Sequence, residues 1–139
     1  MRKLQASFNL LILVLTLLSL VACSDVQKLQ IHQLLDDRDT AVSERNIEAF
    51  TQLVSSHYRS GRINRSDVLL EMQALFAHFE KIQMQSQDRH IVVSDDGRAE
   101  CVQTYVLKVF ADNKWRKLVQ RETLILSKEE DGWKIISGL

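Results

Sequence analysis

Residues 98–138 read RAECVQTYVLKVFADNKWRKLVQRETLILSKEEDGWKIISG, and this stretch decides the fold. It contains three runs rich in Val, Ile, Leu, Thr and aromatics: Arg98–Phe110, Trp115–Ser127 and Trp133–Gly138. Asp112-Asn113 and Asp131-Gly132 separate them, and both are good turn chemistry. A fourth run, Lys81–Val93, leads into the first across Asp95-Asp96-Gly97. Connections this short cannot hold crossover helices, so the runs predict an antiparallel meander. Within Lys81–Val93, Ile82 and Met84 share a parity that Ile91 and Val93 do not, which predicts a bulge near Gln87-Asp88 and a curved sheet.

Upstream the period changes. Ile31, Leu34, Leu35, Arg38, Ala41 and Val42 recur at three-and-four spacing, so Ser24–Ser43 reads as a helix with Arg38 as the polar exception on its apolar face. Asn46 suits the N-cap of a second helix, Ile47–Val54. Ser56–Gly61 reads as a short extended piece. Ser66 is the expected N-cap of a third helix carrying Val68, Leu69, Met72, Leu75, Phe76 and Phe79 on one stripe. Helices followed by strands predict an α+β domain with the helices on one sheet face.

This layout resembles the nuclear transport factor 2-like superfamily, whose members close a curved, cystatin-like sheet and N-terminal helices into a cone. The resemblance spans about Ile31–Leu139. It rests on Leu34-Leu35, Ala41, Phe50, Leu53 and Tyr58, on Leu75-Phe76 ahead of the sheet, and on the ending Asp131-Gly132-Trp133-Lys134-Ile135-Ile136. The superfamily hosts isomerases, cyclases, dehydratases, transport adaptors and binding domains, so the fold does not choose a function.

Strand alternation proposes a lining for the cone. With symmetric turns about Asp96-Gly97, Asp112-Asn113 and Glu130-Asp131, one face collects an apolar end and a polar patch. The patch is His90, Gln103, Tyr105, Gln120 and Glu122, with Trp133 on the same face. These six residues are the expected ligand-binding set. The same register places Lys108 opposite Lys117, which argues against it because facing like charges destabilise a pair. Two chemistries compete for the patch. Glu122 could move a proton while Tyr105 or His90 donates to a developing oxyanion. Alternatively the same groups satisfy one another, or orient a ligand without chemistry.

The N-terminus reads as an address. Met1-Arg2-Lys3 is followed by the apolar stretch Leu10–Leu20, with no further charge before Asp25. The exit Leu20-Val21-Ala22-Cys23 resembles the lipobox of bacterial lipoproteins. That resemblance implies a diacylglyceryl group on Cys23, cleavage before it, and an anchor of two or three acyl chains, because one chain holds only marginally. Ser24, rather than Asp, implies sorting to the outer membrane of a Gram-negative cell. An uncleaved helix of roughly 20 apolar residues and ordinary cleavage are the alternatives. The expected organisation is a signal peptide over 1–22, a lipidated cysteine and short tether over 23–30, and the cone domain over 31–139. Loss of residues 1–22 removes Arg2 and Lys3, leaving 117 residues with 16 basic and 18 acidic side chains. Cys101 is then the one unmodified cysteine.

The remaining chemistry is thin. Balanced charge offers no basic stripe for nucleic acid. His32, His57, His78 and His90 lack metal-ligand spacing, so no metal is expected. No glycine-rich loop cradles a phosphate, and no cofactor is expected. Arg59, Arg62 and Arg65 read as a solvated loop rather than a contact with anionic lipid. The sequence therefore predicts a lipid-anchored periplasmic module that binds a small apolar molecule or an envelope protein without catalysis. The alternative is a small isomerase, cyclase or dehydratase. The outer sheet face, with Val102, Val106, Val119 and Ile125, is the expected homodimer surface.

Overall fold

In a computed structural model, described over residues 25–139, three helices precede and cover a curved four-stranded sheet. Helix α1 occupies 25–43 of the described residues, α2 is Ile47–Leu53 and α3 is Arg65–His78. Two short strands, β1 (Arg59–Ser60) and β2 (Ile63–Asn64), pair between α2 and α3. The main sheet follows the chain: β3 (Lys81–Val93), β4 (Arg98–Ala111), β5 (Lys114–Glu129) and β6 (Gly132–Ser137), all antiparallel.

The apolar periodicity becomes the core. Ile31, Leu34, Leu35, Ala41 and Val42 of α1 pack with Phe50, Tyr58, Val68 and Phe76 against Ile82, Ile91, Ala99, Cys101, Leu124, Leu126, Trp133 and Ile135 of the sheet. Asn46 caps α2 as expected, accepting from the Ala49 N–H at 3.0 Å. The cap of α3 is Asn64 instead of Ser66. Its Oδ1 accepts from the Ser66 and Asp67 N–H groups, and the Asp67 carboxylate accepts from the Asn64 N–H at 2.9 Å. This reciprocal box satisfies donors at both ends of the first turn, which a serine two residues later could not do. The extended piece over 56–61 is shorter than expected, because Gly61 at φ 61° turns the chain into β2.

The bulge lies where the parity break puts it. The β3–β4 register shifts between Gln87 and His90, with Asp88 at φ 55°. Two of the three turns also have the assumed symmetry: Ala111 pairs with Lys114, and Glu129 with Gly132. The Lys108–Lys117 pairing that argued against this register is present. The first turn differs by one residue. Val93 pairs with Ala99 and Ile91 with Cys101, so the turn centres on Asp96. A one-residue slip exchanges faces, and His90 and Val92 consequently lie on the outer face, His90 opposite Val102.

The signal peptide and the Cys23 lipidation site lie outside the described residues, as does the start of the tether. Residues 25–30 are helical and continuous with the core part of α1. No helix among the described residues is long and apolar enough to cross a membrane.

Candidate functional site

The concave face is built on cross-strand pairs of β4 and β5. Gln103 stands opposite Glu122, and Tyr105 stands opposite Gln120. Helix α1 lies over them and contributes Arg38, the polar exception of its apolar stripe, buried to 4% exposure. The Arg38 guanidinium donates to both oxygens of Glu122, Nη1 to Oε1 at 2.6 Å and Nη2 to Oε2 at 3.0 Å. Such a planar two-bond match is the geometry in which arginine binds a carboxylate most strongly. Gln103 is 1% exposed, and its Nε2 donates to Glu122 Oε1 at 2.7 Å.

A second arginine completes the network. Arg89 follows the β3 bulge, shares the inward parity of Ile91 and Val93, and donates from Nε to Gln103 Oε1 at 2.9 Å. Its Nη1 meets Asp36 Oδ1 at 2.6 Å, and its Nη2 lies 3.5 Å from Asp39 Oδ2. Asp39 also accepts from the Ser86 backbone N–H and hydroxyl at 2.6 and 2.8 Å. Two arginines and three carboxylates thus alternate around one buried amide. Each charge has a partner, as burial requires of all but the exposed Asp36.

Nearer the β4–β5 turn, the Tyr105 hydroxyl donates to Gln120 Oε1 at 3.1 Å. The Tyr105 ring lies 5.9 Å from the Arg38 guanidinium carbon, within cation–π range. Burial and the adjacent Glu122 charge raise the Tyr105 phenol above its usual pKa, with Arg38 opposing them. Burial also pushes the Cys101 thiol up to about 11 and makes it a packing residue. Beyond Tyr105 and Gln120 the next pair on this face is Leu107 with the exposed Leu118. The concave surface therefore has an ionic floor, a phenol and amide wall, and an aliphatic rim. One polar atom on the floor stays free among the described residues: Arg38 Nε is buried without a partner.

Of the six predicted ligand-binding residues, Gln103, Glu122, Tyr105 and Gln120 come together here. His90 does not, because its strand leaves the bulge with the opposite parity. Trp133 is buried in the core, its indole N–H without a partner among the described residues. Arg38 and Arg89 are the additions. The signals for them were Arg38's place on an apolar stripe and the Ile91–Val93 parity that Arg89 shares. No cluster that could hold a metal is found among the described residues. A cavity of about 860 Å³ lies elsewhere, an open groove between the outer face of β5 and β6 and the 55–59 segment. Of its three carboxylates, Glu129 already accepts from Ser55 Oγ at 2.6 Å and Asp131 meets Lys134 at 2.8 Å. The concave face, where buried charges converge, is the better candidate site.

Comparison with known proteins agrees with this architecture. A family model described as a SnoaL-like domain matches residues 31–138. Among solved structures, a candidate dehydratase of the nuclear transport factor 2-like family from Streptomyces avermitilis superposes with a TM-score of 0.71 at 18% identity, covering 82% of this chain and 94% of its own. A nuclear transport factor 2-like superfamily protein from Salmonella enterica gives 0.73 at 13% identity, covering 83% and 89%. A protein of cystatin-like fold from Novosphingobium aromaticivorans gives 0.70 at 14%, covering 87% and 84%. At these identities the likeness is one of fold. No curated protein matches the chain.

Proposed function

The chain belongs to the SnoaL-like domain family, and from that premise we propose that it is a non-catalytic binding module held at the cell envelope by lipid on Cys23. The observation that carries the binding reading is the two-bond pair between Arg38 and Glu122, with Gln103 as a third partner. A general base must reach its substrate's proton with a free oxygen. Here Glu122 Oε1 accepts two bonds and Oε2 one, all from groups of the protein itself, so three of the carboxylate's four lone-pair sites are engaged. What faces outward instead is Tyr105, Gln120, Leu107 and Leu118. This surface orients a small, largely apolar molecule by one polar end without reacting with it.

The envelope reading rests on the lipobox-like Leu20-Val21-Ala22-Cys23 and on Ser24, which favours the periplasmic side of the outer membrane. A second copy is the expected protein partner, through the outer face bearing Val102, Val106, Val119 and Ile125. Val119 is 53% exposed there. The enzymatic alternative draws on the description of the Streptomyces avermitilis neighbour as a candidate dehydratase. It requires the remaining lone pair of Glu122 Oε2 to reach the substrate's proton beside Arg38.

Native mass spectrometry of the protein taken from its own membrane tests the proposal. A mature chain beginning at Cys23 with added acyl mass, and a co-purifying small molecule lost in Tyr105→Phe, is the expected result. A chain still carrying residues 1–22 overturns the anchor. Turnover of the isolated ligand that stops in Glu122→Gln overturns the non-catalytic reading.

A further inference from the structure

The β4–β5 hairpin extends past the end of β6, while β3 stays paired with β4 as far as Phe110. Strand β6 pairs with β5 from Ile125 to Glu129, so the second edge of β5 from Lys114 to Arg121 carries no neighbouring strand among the described residues. All eight of these residues are exposed. An uncovered edge is a row of backbone donors and acceptors that an extended segment can complete.

The side chains around this edge share one sign. Lys114, Arg116, Lys117 and Arg121 lie on it, and Lys108 stands directly opposite Lys117. Arg116 meets Asp112 at 3.0 Å, and Lys81 sits 5.3 Å from the Phe110 ring. No described carboxylate lies within salt-bridge distance of Lys108, Lys114, Lys117 or Arg121. Half-exposed Trp115, Leu118 and Val119 lie among the cations.

We propose that the free edge of β5, Lys114–Arg121, docks an extended acidic segment of another protein as an added strand. Backbone pairing supplies register, and Glu or Asp side chains neutralise Lys117 and Arg121 on one face and Arg116 on the other. The like-charged edge repels a second copy of itself, so it selects against self-pairing while admitting an acidic strand. An anionic bilayer fits less well. Contacts of α1 run down β3 in the order Asp36–Arg89, Asp39–Ser86 and Ser43–Met84. The start of α1 and the β4–β5 turn, which lies beside Lys81, are therefore at opposite ends of the sheet. On the anchored reading, the basic edge points away from the lipid.

The probe is an acetylated, amidated octapeptide alternating Glu and Val, titrated into the full chain in neutral detergent micelles. Binding is followed by anisotropy of a peptide label and by amide exchange over residues 114–121. The expected result is saturable binding, protection of alternate amides in that span, and affinity reduced about ten-fold in Lys117→Gln/Arg121→Gln. The same peptide N-methylated on alternate residues keeps its charge and should lose binding to a similar degree. Equal binding of the N-methylated peptide would reduce the site to a charged patch and overturn the proposal. Failure of the octapeptide to bind overturns it as well, whether or not anionic vesicles are taken up. The glutamine double variant should melt no lower than the parent, since neither side chain is buried and the change relieves the Lys108–Lys117 repulsion.

Discussion

Arg38 and Glu122 are 84 residues apart in sequence and meet through two parallel hydrogen bonds beneath helix α1. Their side chains are 5% and 8% exposed, so the pair tethers the first helix to the third long strand in a low-dielectric site. Removing one partner leaves the other buried and uncompensated, which typically costs roughly 3–5 kcal/mol. Arg38→Ala or Glu122→Ala should each lower unfolding free energy by about that amount in urea titrations. The double variant Arg38→Met/Glu122→Leu should recover most of the loss, because it leaves no orphaned charge.

Gln103 is the hinge of the same network, since it donates to Glu122 and accepts from Arg89. Gln103→Leu keeps the volume but breaks two charge-assisted bonds. A cost of roughly 2–4 kcal/mol is expected from two such losses. Gln103→Glu should be worse, because it sets a second carboxylate against Glu122 and removes the donor. Denaturation midpoints of the two variants, compared at one pH, check the order.

The architecture was legible from pattern, and the site only in part. Strand runs, turn dipeptides and the parity break in β3 are local signals, and each has its counterpart in the fold. The pairing of Gln103 with Glu122 followed from a two-residue turn at Asp112-Asn113, where strand register and turn length agree. His90 was misplaced because turn symmetry outweighed the hydrophobic alternation of Ile91 and Val93. The turn took one more residue than assumed, and burial of the apolar pair set the register. Arg89 was missed for the same reason. Arg38 was visible as an oddity on its helix, but its partner could not be found from periodicity, because a contact across 84 residues depends on how the helix crosses the sheet.

Cys101 tests whether the core is as tight as its packing implies. With its thiol pushed up to about 11, only about one molecule in a thousand is thiolate at pH 8. A disulfide reagent should therefore label Cys101 at the rate of unfolding and not before. The folded pKa exceeds the usual thiol value of 9.0. Its contribution to stability is thus complete below pH 9 and lost as pH rises toward 11. Cys101→Ala should remove that alkaline decline, read as the difference between the two stability–pH curves.

Gly138 closes the sheet at its other end. Its φ of 101° lies in the left-handed region, and a Cβ there would press on the Thr123 carbonyl oxygen. The approach coincides with the register shift between Ile125 and Leu126, where β6 leaves β5. Both objections are to backbone, which cannot swing aside. Gly138→Ala should cost roughly 1–3 kcal/mol and loosen the Tyr58–Leu139 clasp, in which the phenol donates to the Leu139 carbonyl and accepts its N–H. Faster amide exchange at Leu139 is the readout.

Lys108 and Lys117 face each other across β4 and β5 with no described acid between them. A like-charged cross-strand pair is a standing cost, and an opposite-charged one contributes roughly 0.2–1 kcal/mol. Lys117→Glu should accordingly raise the melting midpoint slightly, most at low salt, where screening is weakest. The same change places a negative charge on the edge that is argued to receive an acidic strand, so binding of the Glu–Val octapeptide should fall while stability rises. A destabilised Lys117→Glu would mean that the hairpin's charges are already compensated in the native protein. An unaltered affinity would mean that they are not what the edge offers a partner. The opposed directions separate a cost kept for recognition from one that the fold simply tolerates.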